Sequence, residues 1–433
     1  MSDAEDLQGQ VRHLTRKLQT RLRAIENQNS ANCLHWGQFV LESRPDSQVG
    51  VYGSACATFI LQLECDDEVA RRAAQNLADY LGKSEAELEL AHNIKLAMVC
   101  LALAPSAGGE ASSAMQDCLK RLLERCTNSG LWPAYSRPAT FQGVQFTEQP
   151  TEVASAVVAI LLTEIQRRLT HQAHVRLQGE IGAVLKLTAT SLENAHSSGR
   201  TLKQRHGSLI ATVVIMINGA RARSSIHAAF KDAVQSRDFA DRRVFFYDCL
   251  RPEGTTSRDY FILPAATLLS MVAGAPSASA MQRALAIVAG KGLLGELDDD
   301  GVFKGGQELP STVEQGMTAL ALTGLDRGLN QTGFWTKLAE AWLYMTQSSP
   351  TGRPTVLVKV FVYLLWFATA IVTMGHLLPD SWRTMQVLGP FFKQIYLFST
   401  GTPGPVSQFL AFFVGILPVS RAVFTRLIKR DLP

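Results

Sequence analysis

Six apolar runs of helical length, most of them followed by a more charged helical segment, constrain this chain more than any other feature. They cover residues 54–63, 94–103, 153–164, 209–217, 263–273 and 313–322, so their starts recur roughly every 40 to 60 residues. Helical segments this apolar, with no polar stripe, are expected to be buried on all sides. Residues 67–81, 114–126, 226–236, 278–289 and 334–347 each carry a single apolar stripe and read as covering helices. Pairs of one buried and one half-buried helix predict stacked helical hairpins. Extended signals are sparse: residues 244–246 and 261–263 read as short extended pieces, and no alternating ladder supports a sheet.

The segments leading into these helices share a chemistry. "DSQVGVYGSACATFIL" begins at Asp46, "GLWPAYSRP" at Gly130 precedes "QPTEVASAVVAILL" at Gln149, and "DGVFKGGQELPSTVEQGMTALAL" begins at Asp300. Each combines a Gly-aromatic turn, a polar residue and small residues entering a helix. Pro150 and Pro310 stand at the helix starts, with Thr151, Ser311 and Thr312 as caps. On these turns and hairpins, residues 36–347 resemble the terpenoid-cyclase and prenyltransferase-type α/α-toroid. The resemblance implies about six apolar inner helices in a ring, outer helices around them, and Gly-aromatic turns crossing one rim. The alternative is an α-solenoid of the same hairpins left open. The expected fold class is therefore all-α, a toroid or solenoid of about six hairpins followed by two transmembrane helices.

Composition bears on that last element. Hydrophobic residues are 46% of the 433 and charged ones only 18%, which points to a large buried fraction or a membrane segment. Residues 356–378 and 406–423 are apolar stretches near the length that spans a bilayer. Lys359 near the first edge can snorkel, and Trp366, His376 and Pro418 are the polar, aromatic and kinking residues of the hairpin. Arg353 before it and Arg426, Lys429 and Arg430 after it place both ends in the cytosol. The expected domains are an amphipathic N-terminal helix (1–30), a toroid-like cytosolic domain (31–349) and a membrane hairpin with a basic tail (350–433). The expected location is a bacterial-type inner membrane, with the large domain and the C-terminus cytoplasmic. The expected partners are the lipid bilayer, other copies of the chain through the hairpin, and a protein partner or small ligand at the toroid mouth.

Leu7, Val11, Leu14, Leu18, Leu22 and Ile25 form the stripe of the first helix, opposite a basic face of Arg12, Arg16, Lys17, Arg21 and Arg23. A net charge of +4 is too mild to point to nucleic acid. None of the seven cysteines forms a C-x-x-C pair, so neither a zinc site nor a disulfide framework is expected, and a reducing compartment fits.

The toroid resemblance implies an acid or metal motif in its enzymes. The nearest match to an aspartate-rich acid motif is Glu296, Asp298 and Asp299, where Glu replaces the first Asp and the stretch precedes a Gly-aromatic turn. No cofactor or metal is expected. Tyr52, Trp132, Tyr135, Arg137 and Phe303 occupy the turns that a closed ring would gather at one mouth, where aromatics could stack a ligand. Arg205, Arg221, Arg223, Arg237, Arg242 and Arg243 concentrate between residues 200 and 245 and suit phosphates or an acidic partner. The expected function is a membrane-anchored sensing or binding protein, in one version a defence-type effector acting through its hairpin. A membrane-associated isoprenoid- or lipid-processing enzyme is the alternative.

Overall fold

A computed structural model describes residues 3–26, 34–37, 40, 49–63, 68–83, 90–105, 112–137, 139–141, 144–146, 150–170, 172–197, 203–235, 243–245, 262–303, 310–331, 333, 335–336 and 339. The chain divides into two compact units, Met1–Glu340 and Ala341–Pro433, and every described residue lies in the first. The two proposed membrane runs, with Lys359, Trp366, His376 and Pro418, therefore fall outside the described residues. Among those described, no helix is long and apolar enough to cross a membrane.

Each apolar run forms an inner helix, and each is preceded by an outer one. In chain order the pairs are α1 (Asp3–Ala24) and α2 (Val51–Leu61), α3 (Glu68–Leu81) and α4 (Asn93–Leu103), and α5 (Ser113–Glu124) and α6 (Glu152–Arg168). They continue with α7 (Val175–Ser197) and α8 (Lys203–Asn218), α9 (Ser224–Gln235) and α10 (Ala265–Ser270), and α11 (Ala280–Gly295) and α12 (Thr312–Asn330). A 3₁₀ turn, Met271–Gly274, extends α10. The inner helices pack in sequence, α2 on α4, then α6, α8, α10 and α12, and α12 packs back on α2. That return contact closes the ring, so the fold is an all-α α/α-toroid and not an open solenoid. α1, which reads in the sequence as a separate N-terminal helix, is the first outer helix and lies against α12 and α2. Its apolar stripe of Leu7, Val11, Leu14, Leu18 and Leu22 is buried there.

Two short antiparallel ribbons sit in the outer-to-inner connections. β1 (Ala139–Phe141) pairs with β2 (Val144–Phe146), and β3 (Arg243–Phe245) pairs with β4 (Ile262–Pro264), with Val244 opposite Leu263. The two extended pieces expected near residues 244 and 262 are thus partners of one another.

A repeated clasp fixes how each lead-in meets its inner helix. Trp36, Trp132 and Phe303 are buried in three of these connections. Four residues past the N-caps Gly50, Thr151 and Ser311 stand Ser54, Ser155 and Gln315. The Trp36 N–H donates to Ser54 Oγ at 3.3 Å, the Trp132 N–H to Ser155 Oγ at 2.8 Å and the Phe303 N–H to Gln315 Oε1 at 2.9 Å. Gln315 Nε2 donates back to the Phe303 carbonyl at 2.7 Å. Both indoles donate to the last turns of their outer helices, Trp36 Nε1 to the Leu22 carbonyl and Trp132 Nε1 to the Leu122 carbonyl, each at 2.9 Å. Buried backbone groups are costly unless bonded, so a polar side chain at this one position is what lets a bulky aromatic be swallowed by the wall.

A second clasp joins one hairpin to the next. Asn93 Nδ2, at the start of α4, donates to the Pro133 carbonyl at 2.7 Å, and Thr312 Oγ1, at the start of α12, donates to the Gly37 carbonyl at 2.8 Å. Pro133 and Gly37 each follow the buried tryptophan. The backbone repeats the match: Ser136 N–H bonds the Ala91 carbonyl, and Val40 N–H the Pro310 carbonyl. The seam between the sixth and first hairpins is therefore built like the joint between the second and third. Gly130 (φ 76°) and Gly301 (φ 73°) each stand two residues before the buried aromatic, in a backbone region that favours glycine.

Neighbouring inner helices pack closely where Gly316 of α12 faces Cys56 of α2 and Met98 of α4; a Cβ on Gly316 would lie 3.0 Å from Cys56 Sγ. Cys56 is fully buried, which raises its thiol pKa and leaves it an inert packing group. Ser155→Ala would leave the buried Trp132 N–H without its acceptor and should cost about 1–3 kcal/mol in chemical denaturation. A loss under about 0.5 kcal/mol, the range of an ordinary surface substitution, would show that the clasp is dispensable.

Candidate functional site

The ring has two ends, one where the inner helices begin and one where they finish. At the end where inner helices begin lie the aromatic residues singled out in the sequence. They belong to the first, third and sixth hairpins and do not form one stacking surface. Trp132 and Phe303 are buried as clasp anchors and present no face to a ligand, which corrects their expected role. Tyr52 is half-buried in the first turn of α2, and Arg137 is exposed. Tyr135 is half-buried, its ring edge-on to His92 at 4.6 Å and 79°. His92 is the N-cap of α4, its Nδ1 accepting from the Lys95 N–H, and burial, reinforced by Lys95, pushes its imidazole down to about 3. It is a neutral structural cap.

Glu296, Asp298 and Asp299 are corrected in the same way. Glu296 is the C-cap of α11, and the exposed Asp299 gives its carbonyl to Lys17 Nζ at 2.6 Å. Asp298 Oδ1 accepts the N–H groups of Asp300 and Val302, closing the turn that carries Gly301. Thr127 Oγ1 does the same for Leu131 in the third hairpin. Of the three, the Asp298 carboxylate shapes the turn, as the Asx chemistry of such a position favours. Arg223 of the arginine-rich stretch is likewise spent, bonding Asn194 Oδ1 at 2.8 Å and facing Glu193 on α7.

The opposite end, where the inner helices finish, carries a cluster that the sequence reading missed. Glu164, near the end of α6, is buried, and Arg327, in the last turn of α12, grips it with two hydrogen bonds of 2.6 Å. α6 and α12 are the third and sixth inner helices and stand opposite each other, so this ion pair spans the axis. Arg168 Nε lies 3.5 Å and Arg167 Nη1 3.7 Å from the same carboxylate. Arg168 also donates to Gln62 Oε1 at 3.0 Å and stacks over Phe59 at 4.8 Å, while Gln62 Nε2 reaches the Ala102 carbonyl at the end of α4. Four of the six inner-helix ends are thus tied together.

Three guanidiniums face one carboxylate, an excess of two positive charges in a largely buried place. Asp326, the next acid along α12, is committed to Arg12 at 3.0 Å and Gln8 at 2.9 Å on α1. The carbonyl ends of the inner helices offset part of the excess. Arg167 Nη2 is nevertheless buried with no hydrogen-bond partner. Solvent reaches the cluster through Arg167 and Arg327, whose side chains are 20% and 34% exposed, against 6% for Arg168. A crevice of about 300 Å³ opens on the other side of α12, between it and α1, lined by Val11, Thr15, Leu322 and Asp326 among others. The signal in the sequence is "TEIQRRL" at Thr163: a helix with an apolar middle, Ala156–Leu162, ends in an acid and two arginines.

No known protein-family description matches this chain, and no curated protein matches it in sequence. Among solved structures it is similar to an inactive variant of an α-1,6-mannanase of Salegentibacter sp. HEL1_6 in complex with α-1,6-mannotriose. The identity is 11%, the match covers 72% of this chain and 98% of that one, and the TM-score is 0.44. That protein is named as an α-1,6-mannanase, an enzyme, and not as a sensor or an isoprenoid-processing protein. The expected sensing or effector role and its isoprenoid alternative are both set aside; in the acid stretch offered for the latter, Asp298 is a turn cap. At this level of likeness the mannanase carries no chemistry over to this chain.

Burial pushes the Glu164 carboxyl upward, but the hydrogen bonds and charge of Arg327, with Arg168 and Arg167, outweigh this and hold its pKa below the usual carboxylate value. A depressed folded-state pKa contributes stability above the unfolded value of about 4.3 and loses it as pH falls through the folded one. The melting temperature of the intact protein should therefore drop more steeply below about pH 4.3 than that of Glu164→Gln. Parallel curves would show that the carboxylate adds no pH-linked stability.

Proposed function

We propose that this protein binds a small oxyanion, of the carboxylate or phosphate class, at the axial arginine cluster, with the toroid wall as its rigid frame. The observation that supports this reading is the unpartnered, buried Arg167 Nη2 beside guanidiniums that outnumber their carboxylate three to one. Guanidinium groups present paired donors that match the oxygens of such anions, and a low-dielectric surround strengthens each bond. Arg168 is held in place by Gln62 and Phe59, so it enters binding already oriented. Helix ends that carry the cluster on four different hairpins keep its geometry fixed as solvent exchanges above it.

Calorimetric titration of the full chain with inorganic phosphate, against a neutral sugar of similar size, tests the reading. Heat is expected with phosphate alone. Arg167→Ala should weaken phosphate binding at least about tenfold, or about 1.4 kcal/mol. Equal affinity in a folded Arg167→Ala protein, or no heat with any anion from the unaltered protein and from its Glu164→Gln variant alike, would refute it.

A further inference from the structure

The cluster already holds one anion, and it is part of the chain. Glu164 occupies the arginines through both of its oxygens, with Arg327 in the paired geometry that a bound carboxylate or phosphate would adopt. Arg327 is also the most exposed of the three arginines, so an arriving anion meets first the group that Glu164 holds most tightly. The acids packed around it divide cleanly: Asp326, one residue away on α12, is turned to Arg12 and Gln8 of α1, leaving Glu164 as the carboxylate facing the axis in this cluster. Resting on the oxyanion-binding reading above, we propose that Glu164 is a built-in competitor, a carboxylate latch across the ring that an external oxyanion must displace from Arg327.

This accounts for two features that a purely structural ion pair leaves unexplained. A carboxylate placed only to neutralise buried charge would be matched by one arginine, and here three converge on it. The pair also joins opposite inner helices, whose ends are already tied through Gln62 and through the packing of neighbours around the ring. Displacement needs no bond to be made or broken covalently: the guanidinium exchanges one oxyanion for another, and Glu164 is left to Arg167 and Arg168.

The test is phosphate titration of the full chain with Glu164 altered. Glu164→Gln keeps the shape and removes the competing charge, so phosphate affinity should rise tenfold or more over the unaltered protein. Glu164→Asp keeps the charge but shortens its reach, and its affinity should fall between the two; it decides the matter should Glu164→Gln fail to fold by circular dichroism. Affinity equal to or weaker than the unaltered protein in the folded variants, while that protein binds phosphate, overturns the latch and leaves the binding reading standing. No binding by any of the three removes the binding reading, and the latch with it. Binding by Glu164→Gln alone supports both.

Discussion

The structure depends on the hydrogen-bonded burial of an aromatic residue just ahead of an inner helix. A tryptophan driven into the wall by its apolar area takes its own backbone N–H and carbonyl out of water, and those groups must be met at once. Ser54, Ser155 and Gln315 meet them from the same position of three different helices. Because the partner sits one turn inside the helix, the bond fixes both the helix's axial height and its rotation. The Asn93 and Thr312 bonds then set the next hairpin's height from the first. A ring whose joints repeat this geometry has little freedom except to close, and the last joint returns α12 to Gly37 with the bonds already used between α4 and Pro133. At the closing seam the same local chemistry recurs, and α1 lies across it against both α12 and α2.

Much of this could be read from the sequence. A run of nine or more residues made mostly of apolar and small side chains, with no polar stripe, marks a buried helix, and all six inner helices are visible on that ground. The Gly-aromatic turns were visible too, because Gly130 and Gly301 need a backbone conformation that few other residues accept. α7 escaped the reading: its buried residues (Ile181, Leu185, Ala189 and Leu192) are spaced widely among polar ones, and its apolar stripe is thin. α1 was seen as a helix but not as part of the ring, since which neighbour receives a stripe is a tertiary fact. Cross-ring partners are illegible for the same reason. Glu164 and Arg327 lie far apart in the chain, and no periodicity links them.

The misread site residues teach a narrower lesson. Aromatics at a turn invite a stacking role, yet Trp132 and Phe303 carry more apolar area than a rim can leave wet, and the fold swallows them. Acidic residues before a glycine invite a catalytic role, yet Asp298 is where a turn with two free N–H groups needs an acceptor. In both cases the local backbone supplies a cheaper use for the side chain than any ligand does. The Glu164 group differs because the local backbone has no use for it. An α-helix gains from a cation near its last carbonyls, which explains one arginine, but it gains nothing from a buried carboxylate there.

That asymmetry is the strongest physical reason to place function at this end of the ring. Inner-helix starts expose N–H groups, and on three of the inner helices His92, Thr151 and Ser311 meet them from the chain itself. The finishing ends expose carbonyls, which suit guanidiniums, and the guanidiniums in turn suit an anion. The chain supplies one from the opposite wall, at the cost of desolvating it, and still leaves Arg167 Nη2 unmatched. An ion pair between well-packed apolar walls seldom adds net stability over an apolar replacement. A plug of leucines would seal this axis without that desolvation cost, so the charged plug is better explained by what it can exchange than by what it holds together.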